Sequence, residues 1–168
     1  MLPNIDLRIQ NIVKALEQVI IPALPHGEKL AKDQAGLCIG HLNMIARQWK
    51  LSAAFEATSL AAMEALGKRL VPLVDPVFAA QITATLDSVA GTARDDPDAM
   101  EAAIVELGGT IDKAILGGDG RFALPPAAWT AILDYGDRQS LRERSWFADN
   151  GLDPDRLTLP GIAEVVRL

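Results

Sequence analysis

Cys38 and His41 are the side chains whose chemistry and spacing first invite a mechanism. Three residues apart on a helix they share a face, a geometry open to two metal ligands or to a thiol beside an imidazole. Two ligands do not complete a zinc site, which takes three protein ligands when catalytic and four when structural. The other histidine, His26, falls in a turn, and Asp33 projects to a different part of the helix. A nucleophile pair would also need an orienting group and oxyanion donors. The sequence contains neither a Gly-x-Ser-x-Gly elbow nor the Glu-x-x-His pairs of di-iron bundles. Cys38 therefore reads as a small core residue and His41 as a boundary residue. The two would mark a pocket if an apolar cavity reached them, and no catalytic residue, cofactor or metal is assigned.

Gly36 and Gly40 are the second unusual feature. Each should weaken an exposed helix by about 1 kcal/mol relative to alanine, and both project away from the apolar stripe of their own helix, with Asn43 and Arg47. The arrangement predicts a second packing surface. Close packing within the chain is the favoured reading, contact with a second subunit comes next, and a ligand groove follows. A membrane-dimer reading of Gly-x-x-x-Gly fails because the flanks are too polar. Trp146 and Phe147, two aromatics in a polar segment, suit an interface, whereas Trp129 reads as core. Arg138, Arg142 and Arg144 are interleaved with Asp134, Asp137 and Glu143, a pattern that reads as a solvated helix face. The run 117–121, Gly-Gly-Asp-Gly-Arg, lacks the lysine and Ser/Thr of a phosphate loop and follows a helix, so it reads as a cap and turn; Asp119 lacks the companions of a calcium loop.

The elements that must position these residues are helices. Ile5, Ile9, Ile12, Leu16 and Val19 repeat at spacings of 4, 3, 4 and 3, which predicts a helix over 4–21 with that face against a core. Pro22 and Pro25 end it. A second helix over 28–49 carries Ala31, Ala35, Cys38, Leu42, Ile45 and Trp49 inward. Ser52 is placed to cap a third, with Phe55, Ala62, Leu66 and Leu70, and a kink or break is expected at 72–76 before Phe78, Ile82, Leu86 and Val89. Asp96-Pro97 repeats a cap-and-proline signal ahead of Met100, Ile104, Leu107, Ile111 and Ala114, within which Gly108-Gly109 marks either close packing or a bend. A further helix restarts after Leu124-Pro125-Pro126, Asn150-Gly151 stops it, and Ile162, Val165 and Val166 form a short terminal piece. No stretch shows strand alternation. The fold class is all-α, a helical bundle of about five main helices with a short C-terminal helical arm. It is read as one domain over 1–168, with the main bundle at 1–118 and the last helix and arm at 119–168.

The 168-residue length suffices for a core without staples, and a single cysteine fits a reducing compartment. A net charge of −6 disfavours nucleic acid and anionic membranes as partners. The first six residues lack a signal-peptide pattern, and no apolar run approaches a membrane span. A cytoplasmic address is expected.

Residues 12–17 (Ile-Val-Lys-Ala-Leu-Glu), 20–24 (Ile-Ile-Pro-Ala-Leu) and 35–49, with Asn43 and Arg47, resemble a family of small bacterial helical proteins of unknown function. Their genes are often found near acyl-CoA dehydrogenases and aminoglycoside-phosphotransferase-like kinases. The resemblance covers about the first third of the chain and transfers no catalytic residue. Gly36 and Gly40 stand where that pattern has mainly alanine. The expectation for function is a non-catalytic accessory or interaction protein that self-associates, with Gly36, Gly40, Asn43, Arg47, Trp146 and Phe147 as its interface. The alternative is a small-molecule-binding or enzymatic bundle with an apolar pocket near Cys38 and His41, linked to acyl-CoA metabolism and with its ligand unknown.

Overall fold

A computed structural model describes residues 4–167, except the side chains of Gly118 and Asp119. The expectations for residues 1–3 and for the Asp119 side chain lie outside the described residues. The described chain is all-α, with no strand, and is built of seven helices. They are α1 (Ile5–Ala15), α2 (Lys29–Gln48), α3 (Ser52–Leu70), α4 (Pro76–Val89), α5 (Pro97–Ile115), α6 (Pro126–Phe147) and α7 (Ile162–Val165). Among the described residues, no helix is long and apolar enough to cross a membrane.

The chain divides into two compact units, one of Met1–Lys50 with Arg144–Leu159 and one of Leu51–Glu143 with Pro160–Leu168. In the first, Asn4 caps α1 by accepting from the Leu7 amide at 3.0 Å. Beyond Ala15 the helix widens into a π-turn over Leu16–Ile20 and finishes at Ile21–Ala23. The widening has a local cause, because Pro22 lacks an amide proton and its ring would collide with a carbonyl of a regular preceding turn. Helix α2 then packs against α1. The pair is antiparallel, since Asp6 at the start of α1 accepts from Trp49 Nε1 (2.8 Å) and Lys50 Nζ (2.5 Å) just past the end of α2.

The second unit holds the main core. Leu60, Leu70, Ile82, Met100 and Leu107 are fully buried, and Ala128 and Ala131 of α6 join them. Helix α3 packs on α4 and α5, and α4 on α5. Two of the cap signals read from the sequence operate as expected, Asp75 accepting from the Val77 amide and Asp96 from the Ala99 amide, whereas Ser52 is the first residue of α3 and Leu51, with no side-chain cap, takes the N-cap position. The break at 72–76 is a short 3-10 turn over Val71–Leu73 followed by a restart at Pro76. Helix α5 runs unbroken through Gly108-Gly109, and a Cβ on Gly108 would lie 3.6 Å from Met63 Cε, ordinary packing distance. Gly117 has φ +58 and faces the Phe122 carbonyl oxygen so closely that a Cβ would approach it to 2.2 Å. This corner is closed to every other residue. The terminal helix buries Val165 and Val166, whose carbonyl accepts from Thr58 Oγ1 at 2.7 Å.

Several sequence expectations need correction. The stripe of α1 forms on the helix but is not sunk in a core: Ile9 is buried, whereas Ile5, Ile12 and Val19 stay exposed. On α2 the inward side comprises Ala31, Ala35, Ile39, Leu42, Ala46 and Trp49, all half-buried, so Cys38 and Ile45 lie at its open edge. Trp129 is exposed because Ala128 and Ala131 take the inward positions of α6.

Candidate functional site

Cys38 and His41 are both exposed, and neither lines the cavity described below. Among the described residues, no group of three His, Cys, Asp or Glu side chains is placed to hold a metal ion. Gly36 and Gly40 are exposed, and a Cβ added to either meets nothing within 4 Å, so the glycine face makes no close packing with the described residues. Asn43 beside them is exposed, and Arg47 pairs with Asp149 at 2.6 Å. Trp146 is half-buried with its carbonyl accepting from Gln48 Nε2 at 2.7 Å, and Phe147 is exposed. The six residues expected to form an interface are thus divided between an open glycine edge and the segment that follows α6.

The more conspicuous surface of the first unit lies on the other edge of α2. This twenty-residue helix buries no side chain at all. Projected at about 100° per residue, Leu30, Gln34, Leu37, Cys38, His41, Met44 and Ile45 form a continuous strip adjoining its contact with α1, and none of the seven carries a fixed charge. Leu30 is 73% exposed and Leu37 56%. Ile5, Ile12 and, in the π-turn, Val19 line the matching edge of α1. Because the helices are antiparallel and each strip lies on the same rotational side of its own contact, the two edges form one face. Within this unit just Ile9 and Ser145 are buried among the described residues.

Electrostatics hold one end of that hairpin in place and brace the segment that follows α6. The hydrogen bonds from Lys50 and Trp49 keep the Asp6 carboxyl below its usual range. Arg144 forks onto both oxygens of Asp153 (2.8 and 3.0 Å) and reaches Asp155 at 2.7 Å. Its hydrogen bonds, with the Asp155 amide, lower the Asp153 pKa.

A second site lies inside the other unit. A cavity of about 250 Å³ runs between α3 and α6. Ala61, Ala62, Ala65 and Ala131 line it with small side chains, and Arg69 pairs with Asp134 across it at 3.1 Å. Tyr135, Arg138 and Arg142 complete the polar wall. Arg142 is 2% exposed. Its Nη1 donates to Gln139 Oε1, Gln139 Nε2 donates onward to Glu143 at 2.8 Å, and Arg142 Nε has no partner among the described residues. Burial lowers the Arg142 pKa against the opposing pull of Tyr135 and Glu143, and burial raises that of Tyr135.

The interleaved charges predict a solvated face for Arg142, and the structure corrects this, since the side chain is buried. A signal was present: Ala128, Ala131, Tyr135, Arg138, Arg142 and Ser145 repeat at spacings of 3, 4, 3, 4 and 3, a core-facing period written in residues that do not look apolar. Trp129, Ile132 and Leu133 drew the prediction to the neighbouring stripe. Compared with known proteins, the chain matches no family, no curated sequence and no solved structure.

Proposed function

We propose that this is a cytoplasmic, non-catalytic interaction protein that self-associates through the apolar face of the α1–α2 hairpin. One observation carries the reading: α2 buries no residue, while its uncharged strip and the Ile5–Ile12–Val19 edge of α1 remain open to solvent. A second copy suits this face better than a partner chosen by charge. The α2 strip has no charge to repel its symmetry mate, and two such hairpins face to face make a four-helix arrangement. Twenty residues at ~1.5 Å each give a length of about 30 Å. With two helices side by side, about 20 Å across, the face approaches the ~800 Å² per partner of a standard interface. The glycine edge lies on the far side of α2, where Arg47 is already engaged by Asp149.

In an isologous dimer the middle of each hairpin meets near the two-fold axis. Cys38 stands at the middle of α2. Light scattering is expected to give a dimer, and a short bis-maleimide to trap it through Cys38. Ile12→Asp should yield a folded monomer that the reagent no longer links. A parent that stays monomeric at high concentration, or a dimer that survives Ile12→Asp together with Leu37→Asp, defeats the proposal.

A further inference from the structure

The chain holds four asparagines, and Asn150 differs from the others in the backbone that follows it. Asn4 precedes Ile5, whose branched side chain crowds the peptide between them. The amides after Asn11 and Asn43 lie in the interiors of α1 and α2, where helical hydrogen bonds hold them. Asn150 ends the 3-10 turn Ala148–Asn150 and is followed by Gly151 at φ +79. Both residues are exposed, and a Cβ on Gly151 would meet nothing within 4 Å. Among the described residues, no side chain packs over the Gly151 position.

The hydrogen bonds of this turn bear on its reactivity. Asn150 Oδ1 accepts from the Leu152 amide at 2.8 Å. That bond closes a ring through the Gly151 nitrogen and folds the side-chain carbonyl back along the peptide that follows it. It also sets a donor against Oδ1, where negative charge grows when a nucleophile adds to Cγ. The Gly151 nitrogen is the nucleophile that the covalent structure supplies, since its attack on Cγ closes a five-membered ring. One hydrogen bond opposes the step, from the Gly151 amide to the Ala148 carbonyl at 3.2 Å, and it must open first.

We propose that Asn150–Gly151 is a self-modification site, where the folded protein converts asparagine to aspartate and isoaspartate through a cyclic imide. Hydroxide takes the Gly151 amide proton, the nitrogen bonds to Asn150 Cγ, and the Cγ–Nδ2 bond breaks. The leaving nitrogen takes a proton from water and departs as ammonia, which regenerates the hydroxide. Water then opens the imide, giving aspartate by attack at Cγ and isoaspartate by attack at the main-chain carbonyl. Either product adds a negative charge beside Asp149, the partner of Arg47. Isoaspartate also lengthens the main chain by a methylene just before Gly151, whose carbonyl accepts from Arg156 Nη1 at 3.0 Å. The chemistry does not depend on whether the hairpin face pairs with a second copy.

The test is to age the full chain at mildly alkaline pH, both folded and in urea, and to map its peptides by mass spectrometry. Asn150 should be lost at least about tenfold faster than Asn4, Asn11 or Asn43, a difference of about 1.4 kcal/mol in barrier. Both aspartate and isoaspartate should form, and the loss should be no slower in the folded chain than in urea. Hydroxylamine, which cleaves cyclic imides, should cut the chain between residues 150 and 151. Asn150→Gln, whose ring would need an extra atom, should stay intact over the same period. The proposal is overturned if Asn150 persists in the folded chain or survives there several-fold longer than in urea. It is equally overturned if the other asparagines react as fast, if aspartate forms without isoaspartate, or if hydroxylamine leaves the chain whole.

Discussion

At the scale of single residues, glycines of one chain have opposite meanings. Gly117 adopts a left-handed conformation and abuts the Phe122 carbonyl, so Gly117→Ala faces both backbone strain and a collision. It should lose about 2 kcal/mol or more in urea unfolding. Gly40 stands in open space within a regular helix, and Gly40→Ala should gain about 0.5–1 kcal/mol in the same experiment. A loss at Gly40 would mean that something outside the chain needs that space. The spacing of Gly36 and Gly40 was legible in the sequence, and their exposure was not, because a helical projection gives a direction without saying what lies there. The same gap explains Arg142, whose type suggests water and whose position in a 3–4 repeat suggests the interior.

At the scale of elements, punctuation was the most readable layer. Asp75-Pro76, Asp96-Pro97 and Asn150-Gly151 act locally, and each marks the boundary expected of it, since a cap or a left-handed stop depends on few distant contacts. Stripes were less reliable, because the first helix carries a complete apolar period that its own chain does not cover. Closure of the α1–α2 hairpin depends on an acid. The folded Asp6 pKa lies below its unfolded value, so its contribution is present above about pH 4 and is lost as pH falls through the folded value. Acid titration followed by Trp49 fluorescence should therefore show an environmental change below pH 4. Asp6→Asn should remove that step, and an unchanged titration in Asp6→Asn would assign it elsewhere.

At the scale of the whole molecule, the two units differ in how much they enclose. The second buries a contiguous cluster from Leu60 to Ala131, whereas the first buries almost nothing. Hydrogen exchange should reflect this, with amides around Ile82 and Leu107 protected close to the global limit. Amides of α1 and α2 should exchange faster in dilute protein and slow as concentration rises, by mass action on a dimer. Protection of α1 and α2 that is high and independent of concentration would show that the hairpin needs no companion.

The way the units share the chain has a consequence for synthesis. Everything in the second unit lies between residues 51 and 168, but the first needs both the opening fifty residues and the stretch Arg144–Leu159. As the chain emerges from a ribosome, the hairpin precedes Asp149 and the Trp146 carbonyl, which engage Arg47 and Gln48, by about a hundred residues. The hairpin therefore waits that long for its own clasp, and the second unit is completed later still, when Pro160–Leu168 follows. A nascent chain of this design is an early customer for chaperones, and on polysomes two neighbouring hairpins could join before either chain is complete.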